Sequence, residues 1–277
     1  MAFLTFIVFI MGAYMEKTKF YAVSMVTVFL FCLFNVIYAG NFSGELGEVK
    51  GKVEILKDGE KDWIPAVEEM PLQLKDRVKT YAESTCNLEL DDGSIINVGD
   101  NTDILVENLE ISSDKHESKF SLFFGKMIAN ISKMRQTKMN IHTPTSVLAV
   151  RGTEFAVEAS SEEAKIGVFD GEVAVKSAIE SDTEEEVKVK PNEETTVLKD
   201  EKPQPPRKLE AVMLKYKERN DNLRKRAQML RERLKRVPPG KRAVLRKKAL
   251  DRFQKLKNKR AETLKKEKRQ QRMKEER

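Results

Sequence analysis

Two histidines and two cysteines are the scarce reactive side chains of this 277-residue chain, and none is spaced for chemistry. His116 lies in the polar run Ser112-Ser113-Asp114-Lys115-His116-Glu117-Ser118 and reads as a solvated loop residue. His142 closes the stretch Met139-Asn140-Ile141, whose alternation turns it outward. A protein zinc site needs several Cys or His ligands at set spacings, and Cys86 and His142 each stand without such companions. Cys32 falls in an apolar run, so Cys86 has no thiol to pair with.

The carboxylates are abundant but scattered. Asp91-Asp92-Gly93 reads as a tight turn rather than an acid–base pair. Asp100, Asn101 and Asp103 mimic part of a calcium loop but lack the glycine and distant glutamate that an EF-hand requires. Gly240-Lys241 has neither the upstream glycine nor the following Ser or Thr of a phosphate loop. The expectation is a protein that is not an enzyme, with no cofactor, no metal and no small-molecule substrate.

The elements that carry these residues divide by composition. Residues 201–277 hold 30 Lys+Arg and 10 Asp+Glu, whereas residues 1–200 hold 21 and 34. A net charge of +20 therefore follows a body of −13. Such a tail can reach an anionic partner or fold back on its own body.

Residues 20–39 carry no charge, follow Lys17 and Lys19, and end Ile37-Tyr38-Ala39 before Gly40. That is the pattern of a secretory signal peptide, with Met15 as its natural start. The same twenty residues also suffice for one membrane-spanning anchor helix. Either way the remainder is exported, soluble after cleavage near Ala39 or anchored in a membrane. The apolar residues 2–14 would make about 20 Å of helix, short of a hydrocarbon core of about 30 Å.

From residue 40 to 198 apolar residues alternate in short runs: Leu88 and Leu90, Ile104 and Val106, Phe120, Leu122 and Phe124, Met127, Ala129 and Ile131, Val173 and Val175. Asp58-Gly59, Asp92-Gly93, Gly99-Asp100-Asn101 and Asp170-Gly171 supply turns between them. Many short strands without an intervening helix predict an all-β domain: an antiparallel sandwich or roll, or a short β-solenoid.

Several segments in order resemble the FecR domain: Gly51-Lys52-Val53, Lys75-Asp76-Arg77-Val78-Lys79-Thr80, Leu88-Glu89-Leu90-Asp91-Asp92-Gly93-Ser94, Thr143-Pro144-Thr145, Val150-Arg151-Gly152-Thr153-Glu154-Phe155 and Asp170-Gly171-Glu172-Val173. The resemblance covers about residues 47–177, and its most specific part is the Thr-Pro followed by Arg-Gly-Thr-x-Phe. It implies an all-β domain on the outer side of the bacterial inner membrane. The relays that give the family its name carry a cytoplasmic amino-terminal region controlling a sigma factor. Here at most 19 residues precede the apolar stretch, and a basic tail replaces a β-rich carboxy-terminal module. The resemblance thus carries over the domain and not the pathway. Its residues Asp92, Gly93, Thr143, Pro144, Arg151, Gly152, Thr153, Phe155 and Gly171 read as structural: Arg151 is expected to pair bidentately with a carboxylate of the body, and Gly152 to permit a turn.

The stretch 199–206, Lys-Asp-Glu-Lys-Pro-Gln-Pro-Pro, reads as a semi-extended linker. Beyond it, over 207–277, the period becomes helical. Leu223, Ala227, Leu230 and Leu234 form a coiled-coil-like seam interrupted at Asn220, whose amide would fix register. Pro238-Pro239-Gly240 ends that helix, and a second completes a hairpin. Its basic patch comprises Arg246, Lys247, Lys248, Lys255, Lys257, Lys259 and Arg260. Export and the absence of a stacking platform argue against nucleic acid. The expected partners of the tail are an envelope protein, a second copy, or an anionic lipid or wall polymer. The expected function is a binding or scaffold module of the cell envelope; the alternative is a membrane-anchored periplasmic signal-transduction component related to FecR-type regulators.

Overall fold

The computed structural model describes residues 43–111, 115–134, 137–179, 186–255 and 258. The expected export segment 20–39 with Cys32, and Lys257, Lys259 and Arg260 of the basic patch, lie outside the described residues.

Strands dominate up to residue 208. In order they are β1 (Gly44–Lys50), β2 (Val53–Leu56), β3 (Ile64–Pro65), β4 (Pro71–Leu72), β5 (Arg77–Thr80), β6 (Thr85–Leu90), β7 (Ile95–Val98), β8 (Asp103–Ile111) and β9 (His116–Asn130). They continue with β10 (Thr137–His142), β11 (Ser146–Val150), β12 (Glu154–Ala159), β13 (Glu163–Asp170), β14 (Val173–Ser177), β15 (Val187–Val189), β16 (Glu193–Leu198) and β17 (Arg207–Lys208). Helix α1 (Ala211–Arg236) follows, and α2 runs over 239–255.

Pairing arranges the strands in two layers. One runs β4-β1-β6-β7-β9-β12-β13-β16-β17. The other runs β3-β2-β5-β8-β9-β10-β11-β14-β15. Every pair is antiparallel except β9 with β10. The long β9 belongs to both layers: His116–Phe124 pairs with β8, and Met127–Asn130 pairs with β7. It crosses at Gly125, whose φ is +104°. A Cβ there would fall 2.3 Å from Thr102 Oγ1 and 2.7 Å from the Asn101 carbonyl oxygen, so only glycine lets the strand change layers.

The inner faces share one core. Leu46, Leu88, Ile96, Phe155 and Ile166 from the first layer meet Ile55, Val78, Ile104, Phe120 and Leu148 from the second, all without solvent exposure. Each such side chain contributes about 1.5–3 kcal/mol relative to exposure. The fold is therefore an all-β sandwich followed by helices. Phe124 departs from the alternation that buries Phe120 and Leu122 and is 42% exposed. The register of β8 against β9 slips between Asp103 and Ile104, so Phe123 is an extra residue and Phe124 loses its inward phase.

The outer faces differ. On β10 burial alternates, with Lys138 and Asn140 exposed between Thr137, Met139 and Ile141. On β12 four consecutive residues, Glu154–Val157, are buried, because α1 covers that layer. Met213, Tyr216, Leu223, Ala227 and Leu230 of α1 pack with Ile95, Ile128, Ala156 and Phe169 of the sheet. Gly167 makes room for the helix: a Cβ there would approach Met213 Sδ to 2.9 Å. The seam is thus occupied within the chain, and body and tail belong to one compact unit, Phe42–Arg277. The stretch 199–206 is tied to β16, where the Thr195 hydroxyl donates to the Gln204 carbonyl at 2.6 Å and the Gln204 amide donates to the Thr196 carbonyl at 2.9 Å. Arg233, Lys235 and Arg236 occupy the last turn of α1, where the helix dipole favours cations, and Pro238 stops it.

Candidate functional site

The layer that α1 leaves bare carries a row of alternating cations and aromatics. On β5, Arg77 and Lys79 point outward between the buried Val78 and Thr80, and Tyr81 follows in phase. Arg77 Cζ lies 4.6 Å from the Phe123 ring centre and 5.9 Å from that of Trp63. Lys79 Nζ lies 6.0 Å from the Trp63 ring and 5.7 Å from the Tyr81 ring, and Lys52 Nζ lies 3.9 Å above Tyr81. The β-bulge that unburies Phe124 also projects Phe123, 38% exposed, beside Arg77.

This row is held rigidly from below. Arg77 donates Nε to Asp103 Oδ1 at 2.6 Å and Nη2 to Oδ2 at 2.9 Å, and Asp103 is buried. A bidentate pair fixes the plane of the guanidinium and hence its stacking on Phe123. The Tyr81 hydroxyl donates to Glu54 Oε2 at 2.5 Å, and that bond, more than its slight burial, pushes the phenol upward. Ordered aromatic faces set between cations suit a partner with apolar and acidic groups in register.

Beneath the start of β5 lies a buried ion pair. Lys57 donates to Asp76 and to the Pro71 carbonyl at 2.9 Å, while the Gln73 amide donates to Asp76 Oδ2 at 2.8 Å. Burial holds Lys57 below the usual lysine range and Asp76 above the usual carboxylate range. It anchors the loop before the aromatic row.

The motif residues fall at two places. Asp92, Gly93, Gly152, Thr153 and Gly171 gather at one end of the sandwich. The Asp92 carboxylate accepts the Ser94 amide at 2.8 Å and hydroxyl at 2.9 Å, and burial raises its pKa. Thr153 donates its hydroxyl to the Glu172 carbonyl at 3.0 Å, and a Cβ on Gly171 would sit 2.8 Å from that hydroxyl oxygen. Gly93, Gly152 and Gly171 all have positive φ. Two turns are therefore locked together, with Phe155 fully buried behind them. Arg151 stands exposed at the turn, and bidentate guanidinium–carboxylate pairs join Arg77 to Asp103 and Arg246 to Asp91. Thr143 and Pro144 lie at the far end of the β10–β11 hairpin, where Thr143 Oγ1 accepts the Ser146 amide at 2.9 Å.

The helix meets the motif end through a polar network. Glu154 accepts from Asn130 Nδ2 at 2.8 Å, Asn220 Nδ2 at 2.6 Å, and Arg224 Nη2 at 2.5 Å. Arg231 donates to the Gly93 carbonyl at 3.2 Å and to Asn130 Oδ1 at 2.7 Å. Asn220 thus ties α1 to its own sheet through Glu154. Around it, Arg226 pairs with Glu48, and Arg233 with Glu45 and Glu89, so tail cations neutralise body carboxylates.

Two basic or polar residues sit otherwise than their sequence neighbourhood suggested. Arg246 is buried, not part of an outward patch, because it bridges Asp91 and Glu45. Lys247, Lys248 and Lys255 remain exposed on α2. His116 is buried rather than solvated, since it opens β9 between Ile111 and Thr137. Trp63, Arg77 and Phe123 escaped the sequence reading as a group. The Arg77-x-Lys79-x-Tyr81 spacing was its only local signal; the cross-strand neighbours are a product of register.

Among the described residues no group of three His, Cys, Asp or Glu side chains is placed to hold a metal. Nor, among them, is any helix long and apolar enough to cross a membrane.

These features define a β-sandwich with a helical strap. Residues 76–174, from β5 into β14, match the family described as FecR protein, so this stretch of the chain is a FecR domain. No curated protein matches it. Among solved structures it is similar to two candidate anti-sigma factors from Parabacteroides distasonis ATCC 8503, at 16% and 18% identity with TM-scores of 0.42 and 0.41. In each case 50% of this chain is covered, and the chain spans 62% of the other's length.

Proposed function

We propose that this chain is a non-enzymatic signal-transduction component of the bacterial envelope, membrane-anchored through residues 20–39, whose bare sheet receives a protein partner. The observation that carries the reading is the FecR match over residues 76–174, which takes in Arg77, Lys79, Tyr81 and Phe123. The division of faces supports it: α1 covers one layer, and the exposed aromatics lie on the other. Flat aromatic and arginine side chains are the residue types that dominate protein–protein binding energy.

The test is a photocrosslinking residue placed at position 123 of the full chain in cells, against a control at the exposed Met229 of α1. A discrete protein adduct at 123 but not at 229, lost on Trp63→Ala, supports the reading. Adducts at both positions, or at neither, would overturn it.

A second reading makes the chain a scaffold whose tail holds an anionic lipid or wall polymer, favoured by the exposed Lys247, Lys248 and Lys255 on one helix. Binding of that kind weakens steeply between low and high salt.

A further inference from the structure

A cleft of about 350 Å³ opens where α1 ends and α2 begins. Its apolar floor is formed by Leu234, Val237, Leu245 and Ala249. Its walls carry Arg233, Arg242, Arg246, Lys248 and Arg252 against two carboxylates, Glu45 and Glu69.

Glu45, Glu89 and Asp91 are already engaged, whereas Glu69 is exposed. Glu45 accepts from Arg233 at 2.6 Å and Arg246 at 3.0 Å, Glu89 from Arg233 at 2.8 Å, and both oxygens of Asp91 from Arg246 at 2.7 and 2.8 Å. Arg242 reaches the same Asp91, with Nη1 3.0 Å from Oδ1, at an angle that makes an ion pair but not a hydrogen bond. Its Nε and Nη1 are buried without a hydrogen-bond acceptor. A donor on a charged group left without a hydrogen bond is costly, so such a site favours an incoming oxyanion.

We infer that this cleft binds a small amphiphilic anion, with a phosphate or carboxylate head on Arg242 and an apolar body on Leu234, Val237 and Leu245. The cations demand the head, and the half-exposed Leu245 gains burial from the body. The site is independent of the aromatic row and of the partner proposed for it.

The experiment is calorimetric titration of the full chain in nonionic detergent with hexyl phosphate, and separately with inorganic phosphate and with hexanol, against a detergent blank. Saturable one-to-one binding of hexyl phosphate is expected, at least about tenfold tighter than either part alone. Arg242→Gln should weaken it at least about tenfold. Because Arg242 also touches Asp91, the paired exposed variant Lys248→Glu/Arg252→Glu serves as a second check and should weaken binding several-fold without unfolding. Absent saturation, equal binding of hexanol or inorganic phosphate, or indifference to the Lys248/Arg252 change overturns the inference. Micelles doped with phosphatidylglycerol separate the sources: displacement of hexyl phosphate supports a lipid headgroup as the natural head, and retention supports a soluble metabolite.

Discussion

Arg224 on α1 and Glu154 on β12, 70 residues apart in sequence, meet with Nε 3.0 Å from Oε1 and Nη2 2.5 Å from Oε2. The two partners are unequal. Glu154 is buried and also receives Asn130 and Asn220, whereas the Arg224 side chain is 55% exposed. Glu154→Ala strands buried donors and should cost about 3–5 kcal/mol in urea unfolding. Arg224→Ala removes a solvent-screened partner and should cost about 1 kcal/mol. Equal losses for the two variants would show that the network is not organised around Glu154.

The same carboxylate sets a pH dependence. Burial pushes Glu154 up, but hydrogen bonds from Arg224 and Asn220 outweigh it and hold its pKa below the ordinary glutamate value of 4.5. A carboxylate depressed in the folded state contributes stability that is present above its unfolded pKa and lost as pH falls through the folded one. Helix docking should therefore weaken on acidification below about 4.5. Proteolysis of α1 followed from neutral pH to pH ~3 tests this. Glu154→Gln should flatten the profile, and an unchanged profile would assign the effect to other carboxylates.

Cys86 supplies a probe of the core. It is fully buried, and burial alone pushes its thiol up to about 12. In a Cys32→Ser background, alkylation at neutral pH should wait on unfolding and run in step with loss of β signal. Rapid labelling of the native protein would mean that the sandwich opens locally at β6.

Gly167 tests how closely the helix sits. An alanine there meets Met213 along its length, Sδ at 2.9 Å, Cγ at 3.0 Å and Cβ at 3.2 Å, and should cost about 1–3 kcal/mol. Leucine cannot be accommodated beneath α1. Hydrogen exchange should then show lost protection in the first turns from Ala211 while the end near Leu230 stays protected; uniform loss would mean that the helix docks as one indivisible body.

How much of this was legible follows from which signals are local. Alternation at Leu88 and Leu90 or Met127 and Ala129 announced strands, and the glycine turns announced their ends, because both depend on neighbours a few residues away. The seam from Asn220 to Leu230 was equally plain. What it faces was not, since a helix stripe that fits a second helix also fits a sheet lined with Ala156 and Gly167. His116 and Arg246 misled for a related reason: each sits among polar neighbours, and only a strand pairing or a carboxylate brought from far away in sequence buries it.

Arg77 gives the prediction that separates support from recognition. Its guanidinium both neutralises the buried Asp103 and stacks on Phe123. Arg77→Ala leaves Asp103 unpaired and should cost about 2–3 kcal/mol in stability as well as any binding at this face. Phe123→Ala removes an exposed ring and should leave stability within about 1 kcal/mol while binding falls by more than about tenfold. Arg77→Lys keeps the charge and loses the planar fork, so stability should recover in part and binding should not. If Lys restores both, the charge at position 77 suffices and the ordered aromatic row is not what the partner reads.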